Sequence, residues 1–165
     1  LTIRPILRWP DKRLRTAADP VTEINDDIRQ IWQDMVETMD AMPGVGLAAP
    51  QIGVMLRLAV VDATDDRSCR ILLANPECVA ASTQMRPHEE ASPCLPGVSA
   101  RLERPGKVTI RYLDAEGALG ERDFEGLEAT SVQHQIDHLN GRMYFDNLGK
   151  VKRDMLLRKA RKLRA

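Results

Sequence analysis

Ile28, Ile31, Trp32, Met35 and Met39 fall at helical spacing and stop at Pro43-Gly44. The stretch from Gly44 to Gly53 that follows is small, apolar and rich in glycine. This junction constrains the fold more than any other part of the chain. The stripe predicts an amphipathic helix starting near Asn25, with Asp26 and Asp27 in the first turn, where acids suit the helix dipole. The stretch behind it predicts a tightly packed loop whose backbone comes close to a neighbour. Strands are predicted next, over Met55 to Asp62 and over Ile71 to Ala74, the latter ended by Asn75-Pro76. Val108, Ile110 and Tyr112 alternate in a third strand, closed by a turn at Asp114 to Gly117, with Leu119 to Phe124 as its hairpin partner. Arg86 to Pro105, rich in proline and charge, predicts a loop with one extended piece. Leu127, Val132, Ile136 and Leu139 predict a second helix stopped by Asn140-Gly141, and a last helix runs from about Lys150 to the end. Residues 1–20, with Pro5, Pro10 and Pro20, read as an irregular arm. No repeat or linker divides the chain, so the expectation is one α+β domain over residues 1–165.

Composition excludes whole classes. The chain has 165 residues, 43 % hydrophobic and 29 % charged, which rules out a disordered or collagenous protein. No apolar run approaches ~18 residues, so no membrane span is expected. The start, Leu1-Thr2-Ile3-Arg4-Pro5, lacks a charged region followed by an apolar stretch, so no signal peptide is expected. Cys69, Cys78 and Cys94 are too few for a disulfide scaffold and favour a reducing cytoplasm. Basic and acidic residues balance at 24 each, but the balance hides a split. Residues 150–165 carry eight basic residues and one acid, which leaves 16 basic against 23 acidic in residues 1–149. An acidic body with a basic tail points to an anionic partner for the tail.

Chemistry concentrates in Gln133-His134-Gln135-Ile136-Asp137-His138. Histidines at i and i+4 share one helix face, with their rings a turn apart and able to bind one metal ion. Metal hydrolases of this type carry Glu directly after the first His, where it takes a proton from water; here that residue is Gln135. Spacing alone slightly favours two polar residues on a surface face. His88, beside Glu89 and Glu90, is expected to be exposed and uninvolved. Cys69 and Cys78 read as small buried hydrophobes.

The Gly44 to Gly53 stretch, a middle segment ending in Pro96-Gly97, and Gln133-His134-x-x-x-His138-Leu139-x-Gly141 occur in the order and spacing of three motifs. In this the chain resembles the peptide deformylases. Trp9 to Arg15 and the helix after Asn25 also look like that family's start. The resemblance implies an α+β fold with short mixed or antiparallel sheets around a central helix carrying His-x-x-x-His, plus the basic helix over 150–165. It also implies a bacterial-type metal hydrolase acting in translation, which removes the formyl group from N-formylmethionyl nascent chains. Its metal would be held by His134, His138 and a cysteine of the middle motif.

The middle motif departs from the family's Glu-Gly-Cys-Leu-Ser. Aligned on Glu90, Pro96 and Arg104, the segment reads Glu90-Ala91-Ser92-Pro93-Cys94-Leu95-Pro96. Ser92 therefore stands at the cysteine-ligand position, and a neutral hydroxyl is a poorer ligand than thiolate. Cys94 lies two residues on, displaced by ~6.5 Å in an extended chain, and substitutes only if the segment slides. Pro93 stands where the family donates a backbone N–H to the oxyanion and has none to give, a loss worth ~10²–10³ in rate. Gln135 cannot serve as general base, a role worth ~10²–10⁴. Gly44, Val45, Gly46 and Leu47 match the substrate-binding motif, Gln51 matches a residue that holds the reacting carbonyl, and Glu90 with Arg104 matches a bracing pair. Set beside an even chance of a merely packed turn at Gly46 and Gln51, the family frame favours a substrate groove.

The leading expectation from these departures is a deformylase-like protein in which ordinary deformylation is lost or strongly reduced. It would hold one divalent metal (Fe, Zn or Ni) weakly or not at all. Its partners would be an N-terminal, formyl-Met-like peptide in the groove and the ribosome through the basic helix. The rival expectation is an active deformylase using His134, His138 and a nonstandard third ligand. A third, a ribosome factor with a vestigial groove, rests on the tail alone.

Overall fold

The computed structural model describes residues 2–164; the sequence-predicted ends of the domain and of the last helix, at residues 1 and 165, lie outside the described residues. Helix α1 spans Asp26–Ala41. The Asn25 side chain caps it by accepting from the Ile28 N–H at 3.0 Å, which satisfies one of the helix's free first-turn donors. Among the described residues seven strands follow: β1 Gly46–Ala48, β2 Leu58–Val61, β3 Ile71–Ala81, β4 Met85–Glu90, β5 Ala100–Pro105, β6 Lys107–Leu113 and β7 Leu119–Glu125. Helix α2 is Gly126–Leu139 and helix α3 is Lys150–Arg164. No helix among the described residues is long and apolar enough to cross a membrane.

Five strands form one antiparallel sheet in the order β1-β2-β3-β6-β7, and β4 with β5 form a second. All four residues of β2 are buried, because both faces of the sheet are covered. Ala59 and Val61 pack with Phe124, Ala129, Val132 and Leu139 beneath α2. Leu58 and Val60 pack with Trp32, Met35 and Met39 of α1 on the other face. A third cluster joins Leu14, Leu95, Val98, Leu102, Tyr144 and Phe145 to Ala160 of α3. The α1 stripe is thus one wall of the core, and α2 passes through the molecule carrying its histidines inward.

Two elements differ from expectation. The strand read as ending at Asn75-Pro76 continues for 11 residues to Ala81. Register shifts between Ala74 and Glu77, with Asn75 at φ 50°, mark a bulge that tolerates the missing proline N–H. The Asn75 side chain bonds both the N–H and the carbonyl of Val21 at 2.8 Å, tying the arm to the sheet. The Arg86 to Pro105 region holds two strands instead of one extended piece, paired from Met85↔Pro105 to Glu90↔Ala100. Proline and charge masked that pairing because this small sheet leaves one face to solvent.

Candidate active site

The site assembles where α2 passes beneath two loops. A cavity of about 450 Å³ is lined by Gly44, Val45, Gly46 and Gln51 on one side, by Glu90, Ser92 and Pro93 on another, and by Ser131, His134 and Gln135 of α2. Gly46 makes this close approach feasible, since a Cβ there would collide with Ser131 Oγ and the Gln135 amide. Leu47 turns its side chain into the α1-side core and does not line the cavity.

His134 and His138 are both buried, at 8 % and 1 % exposure, so the surface-face reading that spacing favoured is corrected. Their Nε2 atoms lie 3.2 Å apart. His134 Nδ1 meets Glu90 Oε1 at 2.9 Å, which places its proton toward the carboxylate and leaves the Nε2 lone pair free. Arg104 donates to both Glu90 oxygens at 2.6 and 2.9 Å and meets Asp137 Oδ2 at 3.0 Å. Burial raises the Glu90 carboxyl, but the bonds from His134 and Arg104 outweigh it and hold the group at about 2. Burial, with the neighbouring His134 and Arg104 charges, pushes His138 well below its usual value. Its Nδ1 is buried without a partner.

The Glu90–Arg104 pair carries a stability prediction. Both side chains are at least nine-tenths buried, and removing one partner from such a pair typically costs about 3–5 kcal/mol because the other charge is stranded. Arg104→Leu is expected to destabilise the protein by that amount in chemical denaturation, whereas a change below about 1 kcal/mol would show that Glu90 finds another partner.

Ser92 is 4 % exposed, and its Oγ accepts from the Cys94 N–H at 3.2 Å. Cys94 is buried in the third core cluster, where Gln51 Nε2 donates to its Sγ at 3.5 Å. Burial pushes that thiol up, so it stays protonated at neutral pH and is a weak ligand. The structure does not bring Cys94 to the histidines: no group of three His, Cys, Asp or Glu side chains able to hold a metal occurs among the described residues. Pro93 lines the cavity, and the next N–H, that of Cys94, is already bonded to Ser92. Gln51 is 2 % exposed, with Oε1 accepting from the Ala48 N–H at 2.9 Å. The Gln135 Oε1 is buried and has no partner.

Other expectations change. His88 is half-buried on the cavity lining, with Nδ1 buried and unpaired, because β4 turns it toward the cavity. Cys78 is exposed on the outer half of β3, and Cys69 is only half-buried, between Arg122 and Glu128. Two site residues went unnoticed in the sequence. Tyr144 stacks on His134 with centroids 5.9 Å apart, and Asp137 anchors Arg104. The aromatic pair Tyr144-Phe145 just after the histidines, and an acid three residues after His134, were the available signals.

Comparison with known proteins places this geometry. The family model for polypeptide deformylase matches residues 3–154. A peptide deformylase of Rhodopseudomonas palustris is 45 % identical over 98 % of this chain and 95 % of its own. One of Azotobacter vinelandii is 43 % identical over 98 % of this chain and 96 % of its own. The crystal structure of a peptide deformylase from Legionella pneumophila superposes with a TM-score of 0.92, at 42 % identity, covering 99 % of this chain and 96 % of that one. The Ehrlichia chaffeensis enzyme, solved in complex with actinonin, gives 0.92 at 33 % identity, covering 98 % of each chain.

These findings correct the expectation that ordinary deformylation is lost or strongly reduced. Relatives matched at this identity over nearly the full length carry the name peptide deformylase, and they back the rival expectation of an active enzyme. The physical reason lies in the frame: Ser92, Pro93 and Gln135 alter three positions of the site without dispersing the histidine pair, its Glu90–Arg104 brace or the cavity. The α+β fold and its antiparallel sheets agree with the solved structures, and this chain belongs to the polypeptide deformylase family.

Proposed function

We propose that this protein hydrolyses the formyl amide of N-formylmethionyl peptides, using one divalent metal held by His134, His138 and a nonstandard third ligand. The observation that carries this reading is the 3.2 Å separation of the two buried Nε2 atoms. Two tetrahedral metal–nitrogen bonds of about 2.0–2.1 Å would set their nitrogens about 3.3 Å apart. With the His134 proton on Nδ1, its Nε2 lone pair faces that of His138 across the gap a cation would bridge. Two imidazole nitrogens suit Zn, Fe or Ni. When bound, the metal supplies Lewis-acid polarisation and an activated water.

The chain's own residues do the rest. Gly44 to Gly46 and the edge strand β1 offer backbone to an extended peptide, because β1 pairs on one side only. Gln135 lines the cavity and would orient water or substrate there, while an amide leaves proton uptake to another acceptor. Glu90 and Arg104 hold the His134 ring and its tautomer. The Ehrlichia relative is solved in complex with actinonin, which supports a ligand-binding reading of this fold. Purified protein loaded with Fe(II), Ni(II) or Zn(II) under anaerobic conditions is expected to release formate from formyl-Met peptide and nothing from the acetylated analogue. Equal inertness toward both would reject the reading.

The family's setting in translation gives the basic helix its partner, and we assign the ribosome contact to α3 in the cytoplasm. Arg158, Lys159 and Lys162 are exposed, while Ala160 anchors the helix in the core. Binding to ribosomes should weaken steeply with salt. Changing those three residues to glutamine, which spares the buried side of the helix, should abolish co-sedimentation; unchanged binding would reject the contact.

A further inference from the structure

Arg67 lies outside every motif, yet it reaches the wall of the active-site cavity. Its backbone sits at φ 58°, a left-handed conformation that side chains other than Asn and Asp rarely adopt. Glycine is the residue that takes that conformation without strain, so the side chain present here must do something glycine could not. Arg67 Nη1 donates to the Gly44 carbonyl at 2.6 Å and to the Asp62 carbonyl at 3.3 Å, and its Nε lies 3.7 Å from Asp40 Oδ1.

These contacts join three elements. Asp40 ends α1 within its last turn, Asp62 follows β2, and Gly44 opens the cavity-lining segment. Asp62 is fully buried, and its Oδ1 accepts from the Thr64 N–H at 2.9 Å, folding the 62–68 loop so that Arg67 points back. The Val45 carbonyl is held separately, by the Asp62 N–H at 3.0 Å and by Ser131 Oγ at 2.9 Å. Among the described residues, Gly44 has no such support other than Arg67 on its carbonyl and the Met39 carbonyl on its N–H. The guanidinium is a forked donor that can serve two carbonyls and a carboxylate at once, which an ammonium cannot match.

We infer that Arg67 is a positioning residue for the substrate. By clamping the Gly44 carbonyl it fixes the Gly44–Gly46 wall against which the peptide lies, without touching the reacting atoms. This rests on the proposed deformylase reading, and displacement of a binding wall by about 1 Å can cost up to ~10²-fold.

The test uses the metal-loaded, full-length protein and two variants. Arg67→Gly removes the guanidinium and leaves the backbone conformation unstrained; Arg67→Lys keeps the charge and loses the fork. Both should raise KM for formyl-Met peptide roughly tenfold or more while kcat changes less than about twofold, because the wall binds the peptide equally in the ground and transition states. Amide exchange at residues 44–46 should quicken in both variants, with the α2 amides unchanged. Wild-type kinetics in Arg67→Gly, or equal loss in kcat and KM terms, would overturn the inference. If the unaltered protein releases no formate, the deformylase reading fails, and the exchange readout still decides the clamp: unchanged protection at 44–46 in Arg67→Gly overturns it.

Discussion

Replacing His138 with alanine is expected to lower formate release by about 10³-fold or more and to empty the metal site. His138 is the more deeply buried of the pair, and its Nε2 faces that of His134 at 3.2 Å. A bound divalent ion contributes several kcal/mol of transition-state stabilisation, and each 1.36 kcal/mol is a factor of about ten in rate. Nothing nearby can replace the lost nitrogen, because Cys94 is bonded to Gln51 and its thiol is kept protonated by burial. The fold should survive, since His138 contributes one ring among many buried groups, and a thermal melt will establish that. Retention of both metal and turnover in His138→Ala would place the active metal elsewhere.

Gln135→Glu is expected to raise kcat by about 10²–10⁴-fold at neutral pH, the usual gain from a positioned general base. The residue already lines the cavity, and its Oε1 has no competing donor, so a carboxylate there keeps an acceptor available for the reacting water. An amide can orient water but cannot take its proton, whereas a carboxylate does both. The gain should vanish below the carboxyl's own pKa, where the new group is protonated and returns to an orienting role. An unchanged kcat across that range would show that proton removal in this enzyme runs through another acceptor or does not limit the rate.

Much of the site was legible because it depends on local spacing. Histidines four apart on a helix share a face whatever surrounds them, and the glycine at 46 marked a close approach that Ser131 and Gln135 now explain. Burial of the histidines was not legible, since periodicity around 134 and 138 does not reveal that the sheet and the 90–95 segment close over them. The Arg86 to Pro105 region was misread because strand pairing is a long-range property, and its prolines occupy edge positions that tolerate them. Asn75-Pro76 looked like a stop because a bulge and a turn share the same residues. Arg67 was invisible for a plainer reason: a single arginine in a polar loop acquires meaning only when its guanidinium meets a carbonyl 23 positions away. The largest correction concerned function. Three altered positions together suggested lost chemistry within a retained groove and brace; the likeness to peptide deformylases over nearly the whole chain is what overturns that expectation.

The central claim is that His134 and His138 gather one catalytic divalent metal, and titration of the purified apoprotein tests it most directly. Fe(II), Ni(II) or Zn(II) added under anaerobic conditions should bind to one equivalent per chain, with formate release rising in proportion to occupancy and ending at that equivalent. Binding well below one equivalent, or full binding with no formate released, would contradict the account.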